Sequence, residues 1–592
     1  MKPATVRTIK ANLKIYLDIL LLFIGLVSGI SFVLLIGFDL SRLEILLIQR
    51  VIDIVIYCFI FEEFFRLFTF QRFWDELKSR WIEFSLVLLL IFEILFKSTL
   101  IQTFRLYFPF VSFDEIAIAY LVVSQLNIFL IGVFKIVRHS SFITRLKVPP
   151  GAIFAMSFAI LILLGSFFLS LPKASATGNS IKYIDALFTS TSAVCVTGLI
   201  VLDTPKDFSF LGQIIILILI QLGGLGIMTL TTFFFTFVGG GVSLRMRLLL
   251  KEFLSTETFS AIASILRKIV FYTFTIELIG FLVLYLSMAG FNKFDGNTFY
   301  IAIFHSISAF CNAGFSLFSE NLATPLLKTN YIFKFTVTLL IIFGGLGFLT
   351  LAEIFSLKIF GKRVPRIRFQ LSVTSKIVFV TTLILIVLGS GLIFLADFRT
   401  GVLGNNTFDT IFNAYFQSVT ARTAGFNTVP IENLSVLSAI VLIFLMWVGA
   451  SPGGTGGGIK TTTFAVVFMF ILNYIRSRER LIIFDREIAH ETIQKAFVIL
   501  ILSIFVIFIA TSVLIYFEPK INPLNLLFEV TSAFGTVGLS RNVTFHICDS
   551  SKLVLVFVMF IGRIGVLTFF TAVFKPFREY NYTLPKVNVN VG

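Results

Sequence analysis

Charge is scarce in this chain: only 14% of its 592 residues are Asp, Glu, Lys or Arg, against roughly 25% in an ordinary soluble domain. Set beside 57% hydrophobic residues, 75 phenylalanines and a mean hydropathy of +0.98, that scarcity excludes a soluble fold and predicts an integral membrane protein. Cysteine is scarce as well. Cys58, Cys195, Cys311 and Cys548 are the only four and share no paired spacing, which excludes a disulfide framework and a thiolate metal site. Four scattered histidines form no ligand cluster. No nucleophile–base pair or phosphate loop stands out: GASPGGTGGGIKT ends like a Walker sequence but lacks its first glycine at the required distance and a preceding strand, so no enzyme is expected. The first apolar run, about Leu17 to Phe38, follows Lys10 and Lys14 and has no small-residue cleavage site; it reads as a retained span, not a signal peptide. The basic excess, 48 Lys+Arg over 32 Asp+Glu or +16 net, falls mainly in loops between apolar runs. There it reports topology and contact with anionic lipid, with no nucleic-acid partner expected.

What the chain does contain is one phrase four times over: SAVCVTGL at Ser192–Leu199, SAFCNAGF at Ser308–Phe315, TARTAGFN at Thr420–Asn427 and SAFGTVGL at Ser532–Leu539. Their glycines, Gly198, Gly314, Gly425 and Gly538, recur at intervals of 116, 111 and 113 residues. Each copy lies between two long apolar segments, so each puts non-helical backbone at membrane depth, where it persists only inside protein or lining water. Four such loops around one axis would supply a ring of carbonyl oxygens, the chemistry that holds a dehydrated potassium ion. Packing of small residues between membrane helices explains a single copy equally well; four in register favour the ring. The candidate ion-binding residues are Val196, Thr197 and Gly198; Asn312, Ala313 and Gly314; Thr423, Ala424 and Gly425; and Thr536, Val537 and Gly538.

The repeat unit reads as helix, re-entrant loop, helix. In the first unit an apolar helix follows Pro149, Pro150 and Gly151 to about Leu171, a half-helix starts at Tyr183, and a second helix runs from about Phe210 to Val238. The flanking helices of the later units are about Ile269 to Ala289 with Tyr331 to Ile359, Ile377 to Phe394 with Leu437 to Leu472, and Ala496 to Tyr516 with Leu553 to Phe574, each close to the ~20 residues that span a bilayer. The expected fold class is an all-α integral membrane protein whose four repeats (146–250, 251–368, 369–480 and 481–580) form a pseudo-tetrameric pore. An N-terminal module (1–145) adds four transmembrane helices, and 581–592 is a short tail. Basic clusters at Arg245, Arg247 and Lys251, at Lys362, Arg363, Arg366 and Arg368, and at Arg476, Arg478 and Arg480 follow the first three units and predict that the inter-unit loops are cytoplasmic. The re-entrant loops then descend from outside, with the negative ends of their half-helices toward the membrane centre, a field that favours a cation.

A second phrase follows each loop by about one helix: GGLGIMTL from Gly223, GGLGFLTL from Gly344 and GRIGVLTF from Gly562. These glycines would let inner helices approach one another or bend. The third unit carries GASPGGTGGGIKTTT, Gly449 to Thr463, in the same place; six glycines and a proline cannot continue a regular helix. A broken helix facing the water path is expected, with Gly453, Gly454, Thr455, Gly456, Gly457, Gly458 and Lys460 positioned to obstruct it, a plain hinge loop being the competing reading. Arg563 lies eleven positions after Lys552 in an apolar helix, where a charge costs at least ~2.5 kcal/mol. It is expected to face the cavity as a barrier or gate, with Lys460 either its partner or an interfacial anchor.

The four loops, the GGLG phrases, the broken third-unit helix and GRIG together resemble the membrane subunit of the Trk/Ktr/HKT superfamily of potassium transporters, over about Gly151 to the C-terminus. The resemblance implies a single-chain pseudo-tetrameric pore in the cytoplasmic membrane, potassium coordinated by carbonyls near Gly198, Gly314, Gly425 and Gly538, and a gate at the third-unit loop. It also implies a homodimer and a cytosolic ring of nucleotide-binding regulatory subunits, with sodium a candidate coupling ion and no covalent cofactor. In the plant branch a serine in the first loop accompanies sodium transport, so Gly198 argues for potassium. Arg422 in TARTAGF departs from the other loops and is expected to brace its loop. The tail after Phe574 is short, so a partner is expected on the basic loops. In the N-terminal module, YCFIFEEFFRLF (Glu62, Glu63, Arg66) and RWIEFSLVLL (Glu83) resemble the second and third helices of a voltage-sensor bundle. Only Lys135 and Arg138 end the fourth run, so a degenerate structural or regulatory module is expected. The alternative function is a membrane sensor or signalling scaffold on a non-conducting pore-like core, against which the four retained glycines argue.

Overall fold

The structure is a computed structural model that describes residues 16–17, 23–69, 81–96, 99, 124–125, 150–226, 261–289, 298–356, 371–404, 406–478 and 480–574. The chain is an all-α membrane protein in which one arrangement recurs four times: an outer helix, a buried half-helix, a loop, and an inner helix. The first unit has Pro150–Leu169, Tyr183–Val194 and Phe210–Leu225 in these roles. The second has Ala261–Ala289, Thr298–Phe310 and the pair Tyr331–Gly345 and Phe348–Ser356. The third has Val373–Asp397, Thr407–Thr420 and the pair Val436–Trp447 and Thr461–Ile475. The fourth has His490–Phe517, Pro523–Gly535 and the pair Asp549–Ile564 and Val566–Val573. Among the described residues the only strands are Ile482–Ile483 and Arg486–Glu487, an antiparallel hairpin between the third and fourth units.

Helix starts follow local chemistry. Ser209, Asn330, Ser372 and Ser435 accept from the backbone N–H three residues on, of Gly212, Phe333, Ser375 and Ser438, satisfying donors that the first turn leaves open. Asn522 accepts from Leu524 N at 2.9 Å, and Pro523 occupies the first helical position, where its missing N–H costs nothing.

The four outer helices are long and apolar enough to cross a membrane individually. They keep Leu163, Leu278, Leu383 and Phe508 exposed, as a lipid-facing surface requires. The half-helices occupy the core: Phe188, Phe304, Phe416 and Phe528 are each 0% exposed and sit at matching positions of the four units. A small-residue contact fixes three of them to their outer helices. Ser190, Ser306 and Ser418 donate to the carbonyls of Ile162, Glu277 and Ile386 at 2.7, 2.6 and 3.0 Å, and Gly165, Gly280 and Gly389 leave the space in which those hydroxyls lie.

Two of the expected inner spans are not straight. The second and fourth bend by 104° and 101° at Gly347 (φ +88) and Gly565 (φ +92), a left-handed backbone that glycine adopts without penalty. In the first unit, Gly226 (φ +76) ends the inner helix; the expected continuation to Val238 lies outside the described residues. So do the basic clusters at Arg245, Arg247 and Lys251 and at Lys362, Arg363, Arg366 and Arg368. In the N-terminal module the structure shows helices Phe23–Gly37, Arg42–Thr69 and Trp81–Leu95, with Glu62 fully buried. Of the expected fourth span only Ser124 and Gln125 are described, Gln125 Oε1 accepting from Ser28 at 2.5 Å; Lys135 and Arg138 lie outside. The module meets the first unit at Lys173, whose ammonium is 3.4 Å from Leu35 O and 3.6 Å from Asp39.

Candidate functional site

Each half-helix ends in the same backbone sequence. Val196, Asn312, Thr423 and Thr536, two residues before the repeat glycines, have φ of +57, +59, +84 and +50, and Gly198, Gly314, Gly425 and Gly538 have φ of +88, +70, +78 and +92. A left-handed β-branched residue is strained by about 1–3 kcal/mol and persists where the surroundings over-determine it. In three units the intervening N–H reaches back to the half-helix: Thr197, Ala313 and Val537 donate to the carbonyls of Ser192, Ser308 and Ser532 at 2.7, 2.8 and 2.9 Å. The third loop is one residue tighter, Ala424 donating to Thr420 O at 2.9 Å. Side-chain hydroxyls complete the turn. Ser192 and Ser532 accept from Gly198 and Gly538 N–H at 3.0 and 3.1 Å, while Ser308 and Thr420 donate to Phe315 and Phe426 O at 2.7 and 2.6 Å.

The four loops close into a ring. A methyl group on Gly198 would overlap the carbonyl oxygen of Ala313 and press on Gly314; one on Gly314 would meet Ala424 O and Gly425; one on Gly425 would meet Val537 O and Gly538; one on Gly538 would meet Thr197 O and Gly198. The carbonyls of Thr197, Ala313, Ala424 and Val537 thus each lie against the glycine of the adjacent loop. Between the second and third loops Asn312 and Thr423 also pair at 3.1 Å; the amide orientation that satisfies both its atoms accepts from Thr423 Oγ1 and donates to Ala309 and Ile341 O. Arg422 turns away from the ring and donates to Thr382 of its outer helix at 3.2 Å.

Behind the ring the GGLG and GRIG glycines have a different role from helix-to-helix approach. Gly223, Gly344 and Gly562 pack directly on the carbonyls of Val194, Phe310 and Phe534 at the ends of the half-helices, with no space for a Cβ.

The glycine-rich segment of the third unit crosses beneath the ring. Ser451 and Thr455 N–H donate to Gly345 and Gly344 O at 3.0 and 3.2 Å, and Phe348 N–H donates to Gly453 O at 3.0 Å, tying it to the second unit. Gly457 N–H donates to Thr536 Oγ1 of the fourth loop at 2.7 Å, and Gly456 lies on the Thr423 side chain of the third. Gly458 (φ +68) lets the chain return so that Ile459 pairs with Trp447 O at 3.3 Å. Lys460 folds back onto Gly456 O at 2.7 Å. Among the described residues Arg563 meets no carboxylate: its guanidinium donates to Thr455 O and to Gly223 O and lies 5.9 Å over the Phe158 ring. Gly223 is near the carbonyl end of a helix, where a cation is favoured. One side chain therefore joins the fourth unit, the third-unit loop and the first unit.

On the opposite side of the ring a cavity of about 920 Å3 has Gly198, Gly314, Gly425 and Gly538 in its lining, together with Asp203, Glu320, Asp409 and Glu432 against Lys328 and Lys334. An acidic excess of this kind raises local cation concentration. The units are pinned around it by Lys552 with Asp185 at 2.6 Å and by Tyr331 with Asp409. Sequence reading missed these pairs, the Gly–Ser contacts of the outer helices and the Asn312–Thr423 pair. The repeated small residues of the outer helices were a usable signal; the pairs had none.

A profile of the TrkH family, described as cation transport proteins, matches residues 152–580. The chain is 36% identical over 456 residues to the potassium/sodium uptake protein NtpJ of Enterococcus hirae, covering 76% of this chain and 98% of that one. It is 35% identical over 443 residues to Ktr system potassium uptake protein D of Bacillus subtilis, 75% and 97% of the two chains. With Ktr system potassium uptake protein B of Vibrio alginolyticus it shares 37% over 419 residues, 70% and 89%. The potassium transporter TrkH of Vibrio parahaemolyticus has the same fold, with a TM-score of 0.58 at 17% identity over 84% of this chain and 98% of that one.

Proposed function

The chain belongs to the TrkH family of cation transport proteins, and from that premise we propose that it takes potassium into the cell through a filter of backbone carbonyls built by its four re-entrant loops. It is a multi-pass membrane transport protein of the Trk/Ktr type, not an enzyme. The observation that carries the filter reading is the cyclic contact in which Thr197, Ala313, Ala424 and Val537 each set a carbonyl against the glycine of the preceding loop in the ring. A potassium ion entering from the acidic cavity exchanges hydration water for these oxygens, and the half-helices that end at the ring direct their partial negative charge toward it.

The gate in this reading is the glycine-rich loop from Gly453 to Gly458 with Lys460, held across the path by Arg563. A fixed positive charge there opposes cation passage until the loop moves and the guanidinium loses Thr455 and Gly223. Arg476, Arg478 and Arg480, just beyond the inner helix of the third unit, support a cytoplasmic side beneath the ring and an exterior one at the acidic cavity. A regulatory partner fits relatives named as parts of a Ktr system, and this reading gives that partner a nucleotide site and the membrane protein a homodimeric form; sodium dependence fits a relative named for potassium and sodium uptake. The test is flux into liposomes holding the full chain, with potassium, rubidium and sodium compared. Potassium and rubidium are expected to enter and sodium to be disfavoured; no uptake of either larger ion would leave the scaffold reading in place. Capture of a soluble nucleotide-binding subunit by the purified protein tests the partner.

A further inference from the structure

The four filter loops are not equally supported from behind. In the second unit His305, 0% exposed, lies nine residues before Gly314. Its Nδ1 is 2.8 Å from Ile301 O, and its Nε2 is 3.0 Å from the hydroxyl of Ser316, two residues beyond the glycine. A backbone carbonyl can only accept, so Nδ1 carries the proton and Nε2 accepts from Ser316 in the neutral ring; Ser316 Oγ in turn accepts from Phe318 N–H at 3.0 Å. In the fourth unit Glu529, also 0% exposed and nine residues before Gly538, accepts from Ser540 Oγ at 2.5 Å and Arg541 N–H at 3.1 Å, with Thr544 Oγ1 donating to its other oxygen at 2.8 Å. Ser540 is again two residues beyond the glycine. Each strut ties the far limb of a loop to the half-helix that supplies its near limb.

The matching positions of the first and third units have no strut. Thr189 Oγ1 and the Gln417 amide make no hydrogen bond among the described residues. The residues two beyond their glycines are Ile200, which has no polar atom in its side chain, and Asn427, whose amide donates instead to Val429 O at 3.1 Å. Because the ring runs first, second, third, fourth and back to first, the braced loops face each other across the axis, and so do the unbraced ones.

We propose that His305 and Glu529 are positioning residues for ion discrimination: through Ser316 and Ser540 they hold two opposite filter loops at the carbonyl spacing that suits potassium and resist the contraction that sodium requires. This rests on the filter reading above. Two stiff loops set the width of the ring, and the two unbraced loops take up the small movements that let an ion pass.

The experiment is rubidium and sodium uptake by liposomes containing the full chain, as wild type and as Ser316→Ala, Ser540→Ala, His305→Phe and the double variant His305→Phe/Ser316→Ala. The serine variants remove a single hydroxyl each and keep the fold testable even where a half-helix change does not. The ratio of rubidium to sodium uptake is expected to fall roughly fivefold in each serine variant, the scale of one hydrogen bond. The double variant should be no worse than its singles. Ser316→Thr should restore the ratio, and Thr189→Val should leave it unchanged. A purely structural role would lower both fluxes in proportion; an unchanged ratio in Ser316→Ala and Ser540→Ala overturns the proposal while the filter reading stands. A wild type that takes up neither ion overturns both.

Discussion

Arg563, on the inner helix of the fourth unit, donates to the carbonyl of Thr455 in the glycine-rich loop of the third. The pair joins a charge in an apolar helix to the glycine-rich segment beneath the ring, and the second bond of the guanidinium, to Gly223 O, anchors it on the first unit. This half-buried cation has two carbonyls and the Phe158 ring as its described partners; if Thr455 moves, part of its stabilisation goes with it.

Arg563→Ala is therefore expected to loosen the loop and remove the barrier together. Potassium flux through the isolated membrane protein should rise severalfold, with selectivity kept. Liposome flux without any regulatory subunit measures it, and an unchanged rate would show that Arg563 has no part in gating.

Gly198→Ser adds a side chain where φ is +88 and where a Cβ overlaps Ala313 O. The backbone penalty is about 1–2 kcal/mol, and the ring must also open to admit the atom. Potassium uptake is expected to fall by about tenfold, the equivalent of ~1.4 kcal/mol, with sodium uptake falling less. Equal loss for both ions would place the substitution outside the filter.

Gly344→Ala puts a methyl group onto the carbonyl of Phe310, directly behind the second loop. Overpacking against backbone is expected to cost about 1–3 kcal/mol. Thermal unfolding in detergent should show a lower midpoint, whereas Gly391→Ala, on a helix surface with nothing near its Cβ, should show none.

Lys552 and Asp185 are 2.6 Å apart, with side chains 13% and 12% exposed. Removing one partner of such a largely enclosed pair is expected to cost about 1–3 kcal/mol, below the 3–5 of a fully buried one. Asp185→Ala should lower the unfolding midpoint without altering the rubidium-to-sodium ratio, since the pair lies at the start of the half-helix and not at its ring end.

What could be read along the chain was whatever backbone chemistry alone decides. Gly198, Gly314, Gly425 and Gly538 were legible because a glycine that must adopt positive φ recurs in the same phrase. The break in the third inner helix was legible because Gly453 to Gly458 cannot remain helical, and Arg563 because a charge in an apolar run is costly wherever it falls. The bends at Gly347 and Gly565 were only half legible: the glycines were visible, but nothing in GGLG distinguishes close packing from a turn of about 100°.

The sequence by itself determined that this is a membrane protein of four repeated units, where each re-entrant loop lies, and which unit carries the broken, glycine-rich inner helix, since composition, period and local backbone preference need no partner to act. Only the tertiary structure decided that Gly223, Gly344 and Gly562 seat the half-helix ends, that Asp185 finds Lys552, and that Asn312 pairs with Thr423. It alone showed that His305 and Glu529 tie two opposite loops to their half-helices, while Thr189 and Gln417, at the matching positions, make no such bond among the described residues. Those contacts join residues that are distant in sequence or separated by a loop, and they exist only once the four units have closed around one axis.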